Sequence, residues 1–307
     1  MNNHCKELSE DCWELILNRL AIDDFNNLQS PSLVCKQFLS ITDRFRLKLN
    51  CSFWVGSSIP LSHFFTKIPI PQNYRKLGST MKNLKILRCC NLIGFRNQHL
   101  FAIADALPLL EELDIQSEYN YNLWAADFKS AKYMVTDAGI EVLSRKLRGL
   151  RKINMNGLVG CSDRSLIALS SNCQLLNEIR CSFCKVTEHG ICFVLRHSRN
   201  LVCLKTRLYC SSPDDSFTFE NSMIYATSLR DLDLVASGDN ERLICSIATS
   251  GIPLEKFILH DDSGLSLHGL VTFLCVCPSL THLGVCYTIP QRQFHEDLCQ
   301  YLLILSP

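Results

Sequence analysis

Long apolar runs and a strong charge of either sign are both missing from this chain. No run reaches the roughly 18 apolar residues of a membrane-spanning helix, and the densest stretch, Leu265–Leu274, is interrupted by His268 and Gly269. The formal net charge is only +1 in 307 residues, so a basic nucleic-acid-binding surface is not indicated. The N-terminus, Met1–Asp11, is polar and lacks a signal-peptide core. We therefore expect a protein of the cytoplasm or nucleus that binds neither membranes nor nucleic acids.

Familiar catalytic and cofactor motifs are also missing. The sequence contains no P-loop and no Gly-x-Gly-x-x-Gly. The pairs Cys181/Cys184 and Cys275/Cys277 could suggest zinc, but a structural zinc site needs about four ligands and no second matching pair lies nearby. Nothing in the sequence gives positive support for a Ser-His-Asp triad. The sequence therefore predicts a non-enzymatic protein without metal or cofactor.

Cysteine, in contrast, is abundant, with eighteen residues. Disulfides rarely persist in the cytosol, because thiols are kept reduced there. Free cysteine packs as a small, mostly buried hydrophobe. We expect most of the cysteines to be buried packing residues.

What recurs is the pattern Leu-x-x-Leu-x-Leu, from residue 84 onward. Its steps are 26, 40, 26, 25, 28, 25 and 26 residues, a period typical of a leucine-rich repeat solenoid. We predict an α/β fold of about eight units at residues 81–307, with parallel strands on the concave side and helices on the convex side. Thr136 and Thr187, each followed by an acid, are expected to cap two of the helices. The occurrences are Leu84/Leu87/Cys89, Leu110/Leu113/Ile115, Leu150/Ile153/Met155, Leu176/Ile179/Cys181, Leu201/Leu204/Thr206, Leu229/Leu232/Leu234, Leu254/Phe257/Leu259 and Leu280/Leu283/Val285.

The residues between the core positions alternate to the outer face of each short strand. This outer face is the predicted target-binding surface, and its acidic and basic units would select a partner by charge complementarity. The alternative is an ordinary solvated face. An aromatic insertion at Glu118–Tyr133, which includes Trp124, either grips the target or packs over the array. The other predicted target-binding residues are Glu112, Asp114, Lys152, Asn154, Glu178, Arg180, Lys205, Arg207, Asp231 and Asp233.

The first 48 residues show helical spacing only. Ser9 is a candidate N-cap, and Cys12, Ile16 and Leu20 share one face of the helix that follows. Ser30-Pro31 is expected to begin another helix. About 40 residues bury little surface alone, so part of this apolar face is expected to contact a partner or the solenoid.

Two N-terminal segments carry a family resemblance. Leu8–Leu20, LSEDCWELILNRL, resembles the first helix of an F-box, and Leu33–Phe38, LVCKQF, resembles its Val-Cys-Lys-x-Trp segment. Followed by cysteine-containing leucine-rich repeats, the chain resembles plant F-box/leucine-rich-repeat proteins. It departs from their pattern at Ser9, where proline is usual, and at Phe38, where tryptophan is common.

This resemblance implies a small three-helix F-box domain at residues 5–48, then a linker or degenerate first repeat at 49–80. It implies the substrate-recognition subunit of an SCF-type ubiquitin ligase, in which the F-box docks on a Skp-family adaptor and through it a cullin. The repeats would then hold an unknown target protein. The residues implied in adaptor binding are Leu8, Ile16, Leu17, Leu20, Leu33, Val34, Cys35 and Lys36.

Two alternatives remain open. The N-terminal helices could simply cap a repeat scaffold that has no ligase role, since terminal caps are usual in repeat proteins. A solenoid that holds a small-molecule hormone, like the plant auxin and jasmonate receptors, is less favoured because those resemble this chain in layout but need many more units.

Overall fold

The computed structural model describes residues 8–23, 31, 34–45, 48–50, 83–91, 95–117, 135–209, 219–237, 240–261 and 266–287. The helices in these ranges are α1 Glu10–Asp23, α2 Lys36–Phe45, α3 Asn97–Ala106, α4 Asp137–Lys146, α5 Asp163–Asn172, α6 Glu188–His197, α7 Phe219–Met223, α8 Asn240–Thr249 and α9 Leu267–Val276. The strands are β1 Lys48–Asn50, β2 Ile86–Arg88, β3 Glu112–Asp114, β4 Lys152–Asn154, β5 Glu178–Arg180, β6 Cys203–Tyr209, β7 Asp231–Ser237, β8 Lys256–Asp261 and β9 His282–Tyr287.

The strands form one open parallel sheet in strict chain order, β1 to β9, within the described residues. Each strand pairs in parallel with the next one along the chain. From β2 onward a described helix separates each strand from the next, as parallel connections require. This is the predicted leucine-rich repeat solenoid. The pairing of β1 with β2 adds one strand, Lys48–Asn50, before residue 81. The rest of the predicted linker or degenerate first repeat, 51–80, lies outside the described residues.

The recurring apolar residues fill the interior. In the first seven repeats no core residue of the Leu-x-x-Leu-x-Leu pattern is more than 2 % exposed, whereas Leu280, Leu283 and Val285 of the eighth are half-buried. Full burial of a leucine or isoleucine side chain contributes about 1.5–3 kcal/mol. The one hydroxyl among these fully buried positions, that of Thr206, accepts a hydrogen bond from Cys181 Sγ at 3.3 Å. The predicted core is confirmed.

A side chain in the first turn of one helix forms hydrogen bonds with the residue at which the helix of the next repeat starts. Asn97 accepts from Thr136 N at 2.9 Å and donates to Thr136 Oγ1 at 2.8 Å. Asp163 accepts from Thr187 N at 2.7 Å and from Thr187 Oγ1 at 2.6 Å. Thr136 and Thr187 therefore stand at the N-cap positions, as predicted, but their hydroxyls bond the neighbouring repeat and make no cap bond to their own helix.

The same connection continues along the array, and we call it the cap ladder. Asp137 accepts from N and Oγ of Ser162, at 2.8 and 2.7 Å, and from N and Oγ of Ser165, at 3.1 and 2.6 Å. Glu188 accepts from Phe219 N, and Glu241 accepts from Ser266 N. Each of these carboxylates satisfies a helix-start N–H that has no partner within its own helix.

The third residue of α4, α6 and α9 is glycine, because the ladder side chain of the preceding repeat comes too close to leave room for a Cβ. A Cβ added to Gly139, Gly190 or Gly269 would lie 2.3 Å from an oxygen of the preceding ladder residue. In α5 the same position is Ser165, whose hydroxyl bonds the carboxylate directly. The phrase Thr-Asp-Ala-Gly and its relatives therefore encode contact between repeats as well as the start of a helix.

Replacing Gly190 with alanine should lower the free energy of unfolding by about 1–3 kcal/mol, the usual penalty for overpacking. The added Cβ meets Asp163 Oδ1, which cannot retreat without losing its bonds to Thr187. In a helix without such a clash, replacing glycine with alanine would raise stability by roughly 0.5–1 kcal/mol. Urea unfolding followed by circular dichroism measures the difference. Gly149→Ala, where the new Cβ meets nothing within 4 Å, is the control, and an unchanged or more stable Gly190→Ala protein would contradict the ladder.

The carboxyl of Asp137 is the most heavily bonded member of the ladder. Partial burial alone would raise its pKa, but the hydrogen bonds from Ser165 and Ser162 outweigh burial and hold the pKa below the ordinary value of 3.8. A carboxyl with a lowered pKa in the folded state adds stability above its unfolded pKa. That stability is lost as pH falls through the folded pKa.

An Asp137→Asn protein should therefore be less stable than wild type at pH 7, and the difference should shrink as pH falls below about 4. Urea unfolding at a series of pH values from 7 to 2.5 tests this. Asp105→Asn removes an exposed ion pair with Lys146 and should change stability by less than about 1 kcal/mol. If the difference in unfolding free energy between wild type and Asp137→Asn does not change with pH, the charge of this carboxylate does not contribute to stability.

Candidate functional site

The N-terminal helices pack as a pair with a small core of their own. Leu17 of α1 and Ile41 of α2 are buried against each other, with Trp13 and Phe38 at the edge. The rings of Trp13 and Phe38 lie 4.6 Å apart between centroids. Phe38 thus takes part in holding the pair together. Helix α1 starts as predicted, with Ser9 Oγ accepting from Cys12 N at 3.4 Å.

One side of α1 leaves its apolar residues in solvent. Leu8, Leu15, Ile16 and Leu20 are between 37 % and 71 % exposed, and we call them the N-terminal apolar face. Ile16 and Leu20 are four residues apart and so follow one row along the helix, whereas Leu8 lies two residues before the helix begins. Exposed large apolar groups next to one another usually mark a surface that another molecule covers.

The residues implied in adaptor binding are thus divided. Leu8, Ile16, Leu20, Val34 and Cys35 are exposed. Leu17 is only 2 % exposed, so it supports the helix pair and does not present its side chain to a partner.

The remaining positions to be placed in this segment are Leu33, Lys36 and Leu15. Leu33 and the side chain of Lys36 lie outside the described part of the chain. Leu15, which sequence reasoning omitted, is 71 % exposed; its adjacency to Ile16 on the outward side of α1 was the available signal.

The sequence predicted a helix start at Ser30-Pro31, and Pro31 is helical, whereas residues 32–33 lie outside the described part of the chain. The helix that packs on α1 is α2, which begins further on, at Lys36. Val34 lies in a turn, with its N–H donating to Pro31 O at 3.1 Å. The pair contacts the first described repeat through Asn83 Nδ2, which donates to Arg44 O at 3.1 Å.

Across the sheet, the predicted target-binding residues other than Arg207 and Trp124 lie in two parallel rows set by strand register, together with Cys203 and Lys256. The first row runs Glu112, Lys152, Glu178, Cys203, Asp231 and Lys256. The second runs Asp114, Asn154, Arg180, Lys205 and Asp233. All of these residues except Cys203, which is buried, are half-buried, as expected for the outward side of short strands.

The charges in these rows already pair with one another. Lys152 Nζ lies 3.3 Å from Glu112 and 3.7 Å from Glu178, and Lys205 Nζ lies 3.3 Å from Asp233. Arg180 holds Glu178 through both Nε and Nη2. Such partly exposed pairs contribute at most about 1 kcal/mol each. A partner can therefore exchange these bonds for its own at small cost, provided that its charges match the pattern.

A strained aromatic residue stands at the rim of this face. Phe183 has φ of 61°, in the left-handed region, where Gly157 and Asn91 occupy the equivalent turn of two earlier repeats. This conformation costs a residue with a side chain about 1–2 kcal/mol. The ring is 37 % exposed, and the guanidinium of Arg207 lies over it, 5.6 Å from the ring centre. Sequence reasoning placed Arg207 on the target surface but did not identify Phe183.

The cysteine pair that could have suggested zinc is engaged in packing. Cys181 Sγ donates to Thr206, and Cys184 Sγ donates to Met155 O at 3.1 Å. Burial raises the pKa of Cys181 to about 11, so its thiol stays protonated. Of the thirteen cysteines that the structure describes, eight are buried, as expected for most of them, and Cys184 is half-buried. Cys12, Cys35, Cys245 and Cys275 are exposed.

The described ranges contain neither a candidate metal site nor a helix that could span a membrane. They hold no group of three or more His, Cys, Asp and Glu side chains arranged to bind a metal ion. No helix in them combines the length and apolarity of a transmembrane span. Trp124 and its insertion, Glu118–Tyr133, lie outside the described residues.

Solved structures share this architecture. The chain is similar to yeast Rad7 from its complex with Elc1, with a TM-score of 0.53 and 16 % identity over 90 % of this chain and 68 % of that chain. It is less similar to the leucine-rich repeat protein LegL7 from Legionella pneumophila (TM-score 0.46, 12 % identity, 85 % and 98 % covered) and to an internalin from Listeria monocytogenes (TM-score 0.36, 12 % identity, 95 % and 78 % covered). No protein-family model and no curated protein sequence matches the chain. Together with the buried repeats, the yeast structure shows a leucine-rich repeat fold.

Proposed function

We propose that this chain is the substrate-recognition subunit of an SCF-type cullin-RING ubiquitin ligase, acting in the cytoplasm or nucleus. The N-terminal helix pair docks on a Skp-family adaptor, which connects it to a cullin. The sheet face of the repeats binds the target protein. The chain does no chemistry itself; it raises the effective concentration of the target beside the ubiquitin-loading machinery.

The observation that carries this proposal is the N-terminal apolar face. The helix pair has its own core of Leu17 and Ile41, so its exposed apolar residues are not needed to hold it together. Full burial of each such side chain against a partner would contribute about 1.5–3 kcal/mol. The resemblance of Leu8–Leu20 and Leu33–Phe38 to an F-box supports an adaptor as the partner of this face.

The paired rows of charge support the role of the sheet face. In the first row Lys152 lies between the acids Glu112 and Glu178, so the face discriminates between partners by charge order more than by net charge. The similar yeast protein, Rad7, was crystallised in a complex with a second protein, Elc1. A leucine-rich repeat chain that assembles with a partner is consistent with the receptor role.

The alternative is a repeat scaffold whose helices cap the array. The bond from Asn83 to Arg44 and the pairing of β1 with β2 favour a capping contribution. Capping and adaptor docking use different sides of the helix pair, since the N-terminal apolar face stays exposed in the folded chain. Adaptor binding separates the two functions.

Wild-type protein should capture a purified Skp-family adaptor in a pull-down, and Ile16→Asp should reduce capture at least tenfold. Burying a new carboxylate in an apolar contact costs more than the roughly 1.4 kcal/mol that a tenfold loss represents. Asn18→Asp, at an exposed position of the same helix, introduces the same charge outside the apolar row and should bind normally. If the wild-type protein captures no adaptor, the receptor role is rejected and the alternative, a capped repeat scaffold, remains.

For the target face, we expect Phe183→Gly to recover at least tenfold less target from cells in which the ligase is arrested. Glycine accepts the left-handed conformation at Phe183 without strain, and this gain offsets the loss of the contact with Arg207, worth about 0.5–1 kcal/mol at an exposed site. The melting temperature and adaptor capture should therefore change little.

Tyr225→Gly is the matched control for that experiment. Tyr225 is exposed, lies under the guanidinium of Arg196, and belongs to the turn after α7, away from the strands. It should leave target recovery unchanged. Equal target recovery by wild type and Phe183→Gly would show that Phe183 does not contribute to target binding.

A further inference from the structure

A polar cavity of about 380 Å³ opens on the helix side of the array, between the last turns of α5 and α6. It lies away from the strands that carry the proposed target surface. Its lining residues are Ser170, Ser171, Gln174, Arg196, His197 and Arg199.

The lining is cationic. Arg196 and Arg199 carry full positive charge, whereas no carboxylate lines the cavity. The carbonyl ends of α5 would oppose an anion, but the amide of Gln174 donates to Ser170 O and Ser171 O, at 3.1 Å each, and covers them.

Arg196 is held in position before any ligand arrives. Its Nε donates to Ser222 Oγ at 3.0 Å, and its guanidinium lies 5.9 Å from the centre of the Tyr225 ring. A guanidinium fixed in this way loses little conformational freedom when it binds an oxyanion. Arg199 is exposed at the mouth.

The hydroxyl of Ser170 is the unusual feature. Ser170 is only 2 % exposed, and its Oγ has no hydrogen-bond partner, although buried hydroxyls are nearly always bonded. One repeat earlier, Ser144 holds the same eighth position of its helix; its Oγ donates to Glu141 O and accepts from Asn172 Nδ2. In the next groove His197 takes the place of Asn172, and its Nδ1 bonds Phe193 O instead.

We propose that this cavity binds an oxyanion of phosphate size, held by Arg196 and Arg199 and accepting a hydrogen bond from Ser170 Oγ. An oxyanion supplies the acceptor that the serine hydroxyl lacks and the negative charge that the lining lacks. The phosphoryl group can be free inorganic phosphate or the side chain of a phosphoserine, since both present the same oxygens.

Thermal unfolding of the full chain in sodium phosphate, against sodium chloride of equal ionic strength, tests the site. Phosphate should raise the wild-type melting temperature in a saturable manner, because a ligand of the folded state alone stabilises it. Ser170→Ala should weaken the apparent phosphate affinity about tenfold, the order expected for a hydrogen bond to a charged group. Without phosphate this variant should be at least as stable as wild type, because it removes an unsatisfied buried hydroxyl.

Two further variants complete the experiment. Arg199→Gln should also weaken the phosphate response, and Ser144→Ala, the matched serine one repeat earlier, should lose stability yet keep the response. Competition by a phosphoserine peptide, with its unphosphorylated form as control, would assign the site to a modified side chain; its failure would assign it to free phosphate. Equal effects of phosphate and chloride, or an unchanged response in Ser170→Ala and Arg199→Gln, would overturn the proposal.

Discussion

The cap ladder is the interaction on which the array depends, because it fixes the distance and rotation from one repeat to the next. A carboxylate such as Asp137 lies at the start of its own helix and accepts bonds from the start of the following one. It therefore meets the positive ends of two helices at once. The same close approach requires Gly139, Gly190 and Gly269. Repeats held in this register place their strands opposite one another, and the functional rows follow from that placement.

The two proposed binding surfaces use different physics because they are built differently. On the helix pair, a separate small core leaves Leu15 and Ile16 uncovered, so the available energy comes from apolar burial. On the sheet, every outward residue lies next to its equivalent in the adjoining repeat, and Lys152 and Lys205 pair with acids across strands. The sheet face is therefore polar and selects by charge arrangement.

Departures from the repeat pattern are the most informative positions in the solenoid. Phe183 occupies a left-handed turn that glycine or asparagine fills in two other repeats, and Ser170 lacks the partners that Ser144 has. Each costs the folded state some free energy that a regular repeat would not lose. Strain and unsatisfied groups of this kind are characteristic of binding sites.

Sequence alone determined the repeat period, the parallel sheet, the buried positions and the outward rows, because a constant spacing admits one way of stacking identical units. It also indicated α1, through Ser9 and the helical row of apolar residues. Only the tertiary structure decided that Leu17 faces inward and Leu15 outward, and that Thr136 and Thr187 bond the neighbouring repeat. It alone revealed the conformation of Phe183 and the unpaired hydroxyl of Ser170. These features depend on which atoms of adjoining repeats meet, and periodicity fixes the order of the repeats without fixing those contacts.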